Sequence, residues 1–515
     1  MKKALPRIAL LAISFLTLSS CDLNIFDIIS SSSSYSYISY DDSLFNSEQR
    51  NGYSKQKASY LMRQVGDSAG YPYVNSVGNP KILVIPVSIQ GYEKNATAKN
   101  LERIKKAFTG ESNIWQSVEN FYKVSSFGRL NLDITVADQW YDCGKTAASI
   151  YSEDSVSDSE IDGVIDVVES ALSWYKTTYS TNGQEFDSDN DGYVDGVWFI
   201  YSAPNCDSQT DRSTSEYYPT CWAYTTWLDN RANKNSPSLS TFAWASYDFM
   251  DEGYGVLQSD AHTFIHETGH MLGLDDYYDG NASKSSGSAP LGLVDMMDAN
   301  IIDHNVYSKW VLGWTAPFLI DSEGTITLSS SAKTGDCFII PTTDGWNGTP
   351  FDEYLIGEFY TPENLNEKDS LKKYSNDIQG FTEKGIRLYH VDARLAQYKS
   401  NRTFEYTDKL TSQCVVAHTN TPSYGTDKNR QTWNYLSPQY RLIQVLDATN
   451  KRNFAKSYIE ADNGTLFQKG DSFSMAAFSS SFPNGNKAND GSTFEYSFTV
   501  TEQTSDSVTV RFSKN

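Results

Sequence analysis

The chain has 515 residues, with 42 Lys and Arg against 64 Asp and Glu, and a formal net charge of −22. That balance excludes nucleic acid as a natural partner, because the summed field repels phosphate. It suits an exported protein that stays soluble and attracts divalent cations.

Lys2, Lys3 and Arg7 precede an apolar run from Ile8 to Leu18, and Ser19-Ser20-Cys21 follows. The run is too short to span a membrane and reads as a signal peptide over 1–20. The cysteine at its end resembles a bacterial lipoprotein box, which implies cleavage before Cys21 and lipid on its sulfur. The chain would then be anchored at the outer face of the bacterial cell membrane. A plain secretory signal with an incidental cysteine is the alternative, and both give an exported protein. Residues 21–50 include the serine run Ser30–Ser34 and cannot bury a core, so they read as a flexible tether. Residues 51–80 read as a short pro-segment or N-terminal extension. Apart from Cys21, the cysteines are Cys143, Cys206, Cys221, Cys337 and Cys414, an odd number that excludes complete pairing. Cys206 and Cys221 are close enough in sequence to staple one loop.

From Lys81, KILVIPVSI predicts a buried strand, and the charged stretch from Lys99 to Phe108 a helix. Ser117 to Val136 predicts a helix ending near Gly128, then a strand through Leu130, Leu132 and Ile134. Ile161, Val164, Ile165, Val168, Leu172 and Tyr175 recur at helical spacing. Val197–Tyr201 is another short strand. Beyond about Ala316 the texture turns to period-two alternation, ending in a hairpin through Phe494, Tyr496, Phe498 and Val500, then Val508, Val510 and Phe512. A layered α/β or α+β domain, followed by an all-β sandwich region, is expected.

Asp187-Ser188-Asp189-Asn190-Asp191-Gly192-Tyr193-Val194-Asp195 places carboxylates at positions one, three, five and nine of a calcium loop, with Gly192 at the tight turn. Position twelve is Trp198, so the loop is not an EF-hand. Calcium on Asp187, Asp189, Asp191 and Asp195 is expected, and an ordinary acidic turn is the alternative.

The most informative stretch is His266-Glu267-Thr268-Gly269-His270, followed by Gly273 and Asp276. Two histidines four apart share one helix face and can grip one metal ion. Glu267 points to another side of the same turn, within reach of a metal-bound water. Gly273 can end the helix in a left-handed conformation and return Asp276 to the metal. Three protein ligands leave the fourth position that a catalytic zinc requires. The helix is expected to run from a cap at Ser259 or Asp260 to about Gly273. His262 shares the face but lies about 12 Å from His270 along the axis, too far for the same ion; it either supports the site or simply packs. Asp275 and Asp279 could serve a second cation or solvate a loop.

HExxHxxGxxD followed by a methionine turn is similar to the metzincin peptidases. More specifically, HETGHMLGLDDYYD, GLVDMMD, HNVYSKWVLGW, SVENFYKVSSFGRL and DSDNDGYVDGVW resemble the immune inhibitor A family of secreted bacterial zinc metallopeptidases. The likeness covers roughly residues 80 to 320 and extends more weakly through FDEYLIGEFY and GIRLYHVD. It implies zinc on His266, His270 and Asp276, Glu267 as general base, and Met297 beneath the metal, with Met296 the alternative methionine. Val294 replaces the usual aromatic of that turn. Ala299 stands where some relatives of the wider group have a tyrosine, so Tyr307 and His304 become candidates for transition-state stabilisation, or else fasten a helix. His390 and His418 read as structural. The implied organisation is an α+β, metzincin-like metallopeptidase domain over 81–318, with a mixed sheet and the zinc helix, and a β-rich region over 319–515.

The expected activity is endopeptidase cleavage of extracellular proteins or glycoproteins. A surface adhesin or glycan-binding lipoprotein with a subordinate peptidase domain is the alternative, and a zinc hydrolase of non-peptide bonds is a third.

Overall fold

The run Lys81–Gln90 lacks a polar face, so it belongs inside a sheet covered on both sides. The computed structural model describes residues 49–110, 115–154, 161–205, 222–252, 259–280, 282, 286–399, 403–421 and 439–515. In it, Lys81–Gln90 pairs in parallel with Asp133–Val136 and Tyr141–Thr146 on one side and Gly196–Tyr201 on the other. Gly196–Tyr201 continues in parallel to Thr241–Ser246, and Tyr224–Trp227 closes that edge antiparallel. The result is a six-stranded mixed sheet.

Side-chain alternation splits the core in two. Ile82, Val84, Trp198, Ile200 and Ala243 face one cluster, covered by helices Ala98–Thr109, Val118–Ser125 and His262–Met271. Leu83, Ile85, Val197, Phe199 and Trp244 face the other, covered by helix Asp162–Thr178 through Val164, Val168, Leu172 and Tyr175. The strand expected through Leu130 begins only at Asp133, and Leu130 makes a single bridge to Gly78. The histidine helix is shorter than its pattern suggested. It starts at His262 because the Asp260 carboxylate accepts the His262 N–H at 2.8 Å and is also committed to the His262 ring.

Beyond residue 316, Ile443–Val445, Gly385–Asp392, Glu353–Tyr360, Cys337–Pro341 and Phe318–Leu319 form a five-stranded sheet in that order. Gly324–Ser329, Ser507–Lys514, Tyr496–Gln503 and Ser472–Phe473 form a four-stranded antiparallel sheet. The two share one apolar filling, in which Phe338, Leu355 and Leu388 meet Val510, Phe498 and Phe512, with the Phe338 and Phe512 rings 5.1 Å apart. The opposite face of the five-stranded sheet, through Ile339, Tyr354, Ile356 and Val391, joins the first cluster beside Trp310 and Val311. The architecture is therefore α+β: a mixed sheet with helices, then all-β sheets, with one core running through both.

The segment before Lys81 packs into this core through Tyr53, Met62, Val65 and Val74. Its helix, Met62–Ala69, meets the strand Cys414–Val416: the Ser68 hydroxyl accepts from the Cys414 N–H at 3.2 Å and donates to its carbonyl at 3.0 Å. Among the described residues no helix is long and apolar enough to cross a membrane. The signal segment, Cys21, the tether up to residue 48, and Cys206 and Cys221 lie outside the described residues.

Candidate metal centre

All ten residues of His262–Met271 are buried, because the helix lies between the mixed sheet and the methionine turn. Each ligand histidine is oriented by its Nδ1. His266 Nδ1 donates to the Met296 carbonyl and His270 Nδ1 to the Leu274 carbonyl, both at 2.8 Å. A carbonyl only accepts, so in each neutral ring Nδ1 carries the proton and Nε2 offers its lone pair. The two Nε2 atoms are 3.1 Å apart, and Asp276 Oδ1 is 3.1 Å from each. Three electron-pair donors thus form a triangle with no protein donor between them. A tetrahedral zinc with bonds of about 2.0–2.1 Å separates its ligands by roughly 3.3 Å, so the donor set fits zinc and leaves one corner open.

Without a cation, a proton must answer the carboxylate. Burial pulls His270 down, but Asp276 more than reverses this and lifts it to about 10. Burial would raise Asp276, yet His270 and His266 hold it well below the usual carboxylate range. A metal ion bound there would take the place of that proton.

Gly273 makes the return of Asp276 possible. Its φ of +96° lets Leu274 N–H reach back to the Gly269 carbonyl at 3.0 Å. A Cβ there would lie 2.7 Å from Met62 Cγ and from the Tyr73 ring. Gly273→Ala is expected to destabilise the chain by about 1–2 kcal/mol or more, from the left-handed backbone plus the clash. The midpoint of denaturant unfolding checks this; an unchanged midpoint contradicts it.

The methionine turn anchors two ligands through adjacent carbonyls. Met296 O holds His266, and Met297 O accepts the Tyr277 N–H at 2.7 Å, fixing the residue after Asp276. The Met297 sulfur packs on the helix at Gly269, where an added Cβ would lie 2.6 Å from it. Asp295 shapes the turn by accepting the Met297 N–H and the Asn305 amide, both at 3.0 Å. The β region clamps it: Arg387 grips Glu358 through two nitrogens at 2.9 and 2.7 Å and donates a third to the Val294 carbonyl at 3.3 Å.

A Glu267 carboxylate oxygen and the two histidines' ligand nitrogens lie within 4.8 Å of one another, while Asp276 is closer to both nitrogens. Glu267 therefore flanks the candidate metal position, and Asp276 occupies one corner of the triangle. The Thr225 hydroxyl, on the edge strand, lies 2.8 Å from the Glu267 carbonyl oxygen and 3.2 Å from Oε2. Burial raises the Glu267 carboxyl, and His270 and His266 offset part of the rise.

Tyr278 stacks near His266, with ring centroids 6.4 Å apart, and its phenol lies beside the Asp276 carboxylate, whose charge adds to the effect of burial in raising it. Sequence reading missed both Tyr278 and Thr225. Tyr278 carried a local signal, two residues past Asp276; Thr225 carried none.

His304 sits in an aromatic cage, its ring 5.4 Å from Phe121, 5.8 Å from Tyr122 and 5.9 Å from Trp314. Burial, then Lys309, holds it well below the usual histidine range, so it is neutral. Tyr307 lines a cavity that also touches His270 and Asp275. Asp279 fastens Ser288, accepting its N–H at 3.2 Å and its hydroxyl at 2.7 Å. His262 is not near the ligands. Its Nδ1 meets Asp260 at 2.6 Å and its Nε2 meets Asp369 at 3.3 Å, between Trp115 and Tyr374. His390 pairs with Glu353 at 2.8 Å inside the β region.

In the acidic loop, oxygens of Asp187, Asp189 and Asp195 lie within 4.8 Å of one another, and Asp191 falls outside that group. Gly192 has φ +97° and turns the loop as its position required. Arg63 from the N-terminal helix pairs with Asp189 at 2.7 Å and reaches Asp191 at 3.5 Å. Burial, then Asp189, pushes Asp191 up to about 7, and burial pushes Asp195 up to about 6. The loop is short of positive charge, which a divalent cation would supply. Trp198, at position twelve, is fully buried against Phe264 and Phe108 and offers no ligand.

No protein-family model matches the chain, and no curated protein matches it.

Proposed function

We propose that the chain is a zinc-dependent endopeptidase of metzincin-like type, exported and lipid-anchored through Cys21, that cleaves extracellular proteins or glycoproteins. The observation that carries this reading is the triangle of His266 Nε2, His270 Nε2 and Asp276 Oδ1 at 3.1 Å, with both Nδ1 protons already committed to carbonyls. Zinc bound there supplies Lewis-acid polarisation of the scissile carbonyl and lowers the pKa of water toward about 7.

The remaining work falls to the protein's own groups. Glu267, beside the ligands, accepts the proton of the attacking water and returns it to the leaving amine. Thr225 holds the Glu267 carboxylate in place. The Met296 and Leu274 carbonyls keep each imidazole in the tautomer that presents Nε2. Calcium on the Asp187, Asp189 and Asp195 loop belongs to the same proposal, as a structural ion holding the entry to strand Gly196–Tyr201.

Digestion of casein and a peptide library, read by mass spectrometry, tests the reading. Cleavage abolished by 1,10-phenanthroline and restored by zinc is expected, whereas EGTA should lower the melting temperature and spare the zinc. Cleavage indifferent to phenanthroline, or none with zinc bound, overturns the peptidase assignment.

A further inference from the structure

On the His270 side of the ligand triangle opens a cavity of about 140 Å³. Beside His270, Leu274 and Asp275, its walls come from parts of the chain that carry no candidate ligand. Met62 and Tyr73 belong to the N-terminal segment, Trp227 to the edge strand and Leu442 to the β region. These walls are apolar or aromatic. The lining also holds the polar side chains of Asp275, Tyr307 and His418.

Two of those polar groups lack partners. The Tyr307 hydroxyl is fully buried and makes no hydrogen bond among the described residues. His418 is 1% exposed, and its Nε2 faces the Tyr406 hydroxyl at 2.9 Å and Asp392 at 3.4 Å. Its Nδ1 has no partner among the described residues. Nδ1 offers a lone pair or a proton according to which ring nitrogen is protonated, and a hydroxyl can answer either. Buried polar atoms left unpaired are costly, and two around one cavity point to a ligand that completes them.

Resting on the zinc-peptidase reading, we propose that this cavity is the subsite for a tyrosine side chain of the protein substrate. The ring packs between Met62, Tyr73 and Trp227, and the phenol hydroxyl bonds with Tyr307, Asp275 and His418. An aliphatic side chain or phenylalanine fills the same space but leaves those polar atoms unpaired. A lysine or arginine brings a cation into a mostly apolar cavity, where desolvation opposes it.

The test is saturation-transfer NMR on the zinc-loaded full chain with N-acetyl-tyrosinamide, -phenylalaninamide, -leucinamide and -lysinamide. The tyrosine amide is expected to bind about tenfold tighter than the others, and Tyr307→Phe to shrink its advantage over the phenylalanine amide to about twofold. Ala69→Phe, which fills the cavity from its wall, should weaken all four. Equal affinities, no binding, or a tyrosine preference unaltered by Tyr307→Phe overturn the proposal. If a variant fails to fold by circular dichroism, the comparison of amides on the wild-type chain decides alone. A chain that binds the tyrosine amide yet cleaves no peptide sinks the peptidase reading and leaves the subsite. A chain that cleaves peptides without these binding differences sinks the subsite alone.

Discussion

Glu267→Gln is expected to lower kcat/KM by about 10³-fold while one zinc per chain is retained, since a positioned proton shuttle contributes roughly 10²–10⁴-fold. Glutamine matches glutamate in shape, and the Thr225 hydroxyl, 3.2 Å from Oε2, can still bond the amide oxygen. His266, His270 and Asp276 keep their mutual 3.1 Å spacing, because their anchors at Met296, Leu274 and Tyr277 do not involve position 267. What is lost is a group that can carry a proton. Steady-state kinetics on one peptide, with metal content measured on the same sample, separates this from a folding defect. A fully active glutamine variant removes Glu267 from the mechanism.

The largest stability effect is expected at His262. Its ring lies fully buried between the carboxylates of Asp260 and Asp369, stacked 3.9 Å from Trp115 and tilted against Tyr374 at 4.3 Å. Phenylalanine keeps an aromatic ring in that place and removes the positive charge between two buried carboxylates. His262→Phe should therefore cost about 3–5 kcal/mol at pH 6. Burial would lower this histidine, but Asp260 and Asp369 raise it to about 9. A raised histidine stabilises the folded state fully below its unfolded pKa of about 6.5, and that contribution fades as pH rises toward about 9. The wild type should lose about 3 kcal/mol from this source across that window, and the variant should not. Urea unfolding of both proteins between pH 6 and 9.5 measures it. Parallel pH profiles for the two proteins contradict the charged clamp.

What could be read from the sequence was local. His266, His270, Gly273 and Asp276 lie within one helix and the turn after it, so spacing alone brought their side chains together. The calcium-type loop was legible for the same reason, although Asp191 turned its Oδ1 to the Tyr193 N–H at 2.9 Å and left the group. Period-two alternation marked the closing hairpin because one of its faces meets water. The alternation read through Tyr354–Phe359 marks no water-facing side, because all eight residues of Glu353–Tyr360 are buried between two covered faces. Thr241–Ser246, also buried throughout, had no pattern that distinguished it from any short apolar stretch.

Long-range partners stayed hidden. Asp369 reaches His262 across 107 positions, and Arg387 reaches Val294 across 93. The cavity draws its walls from the N-terminal segment, the mixed sheet and the β region, so no local pattern announces it.

Anomalous diffraction at the zinc edge, on crystals of the zinc-equilibrated chain, tests the central claim most directly. A single strong peak within bonding distance of His266 Nε2, His270 Nε2 and Asp276 Oδ1 is the predicted result. No peak there, or zinc held by other side chains, contradicts it.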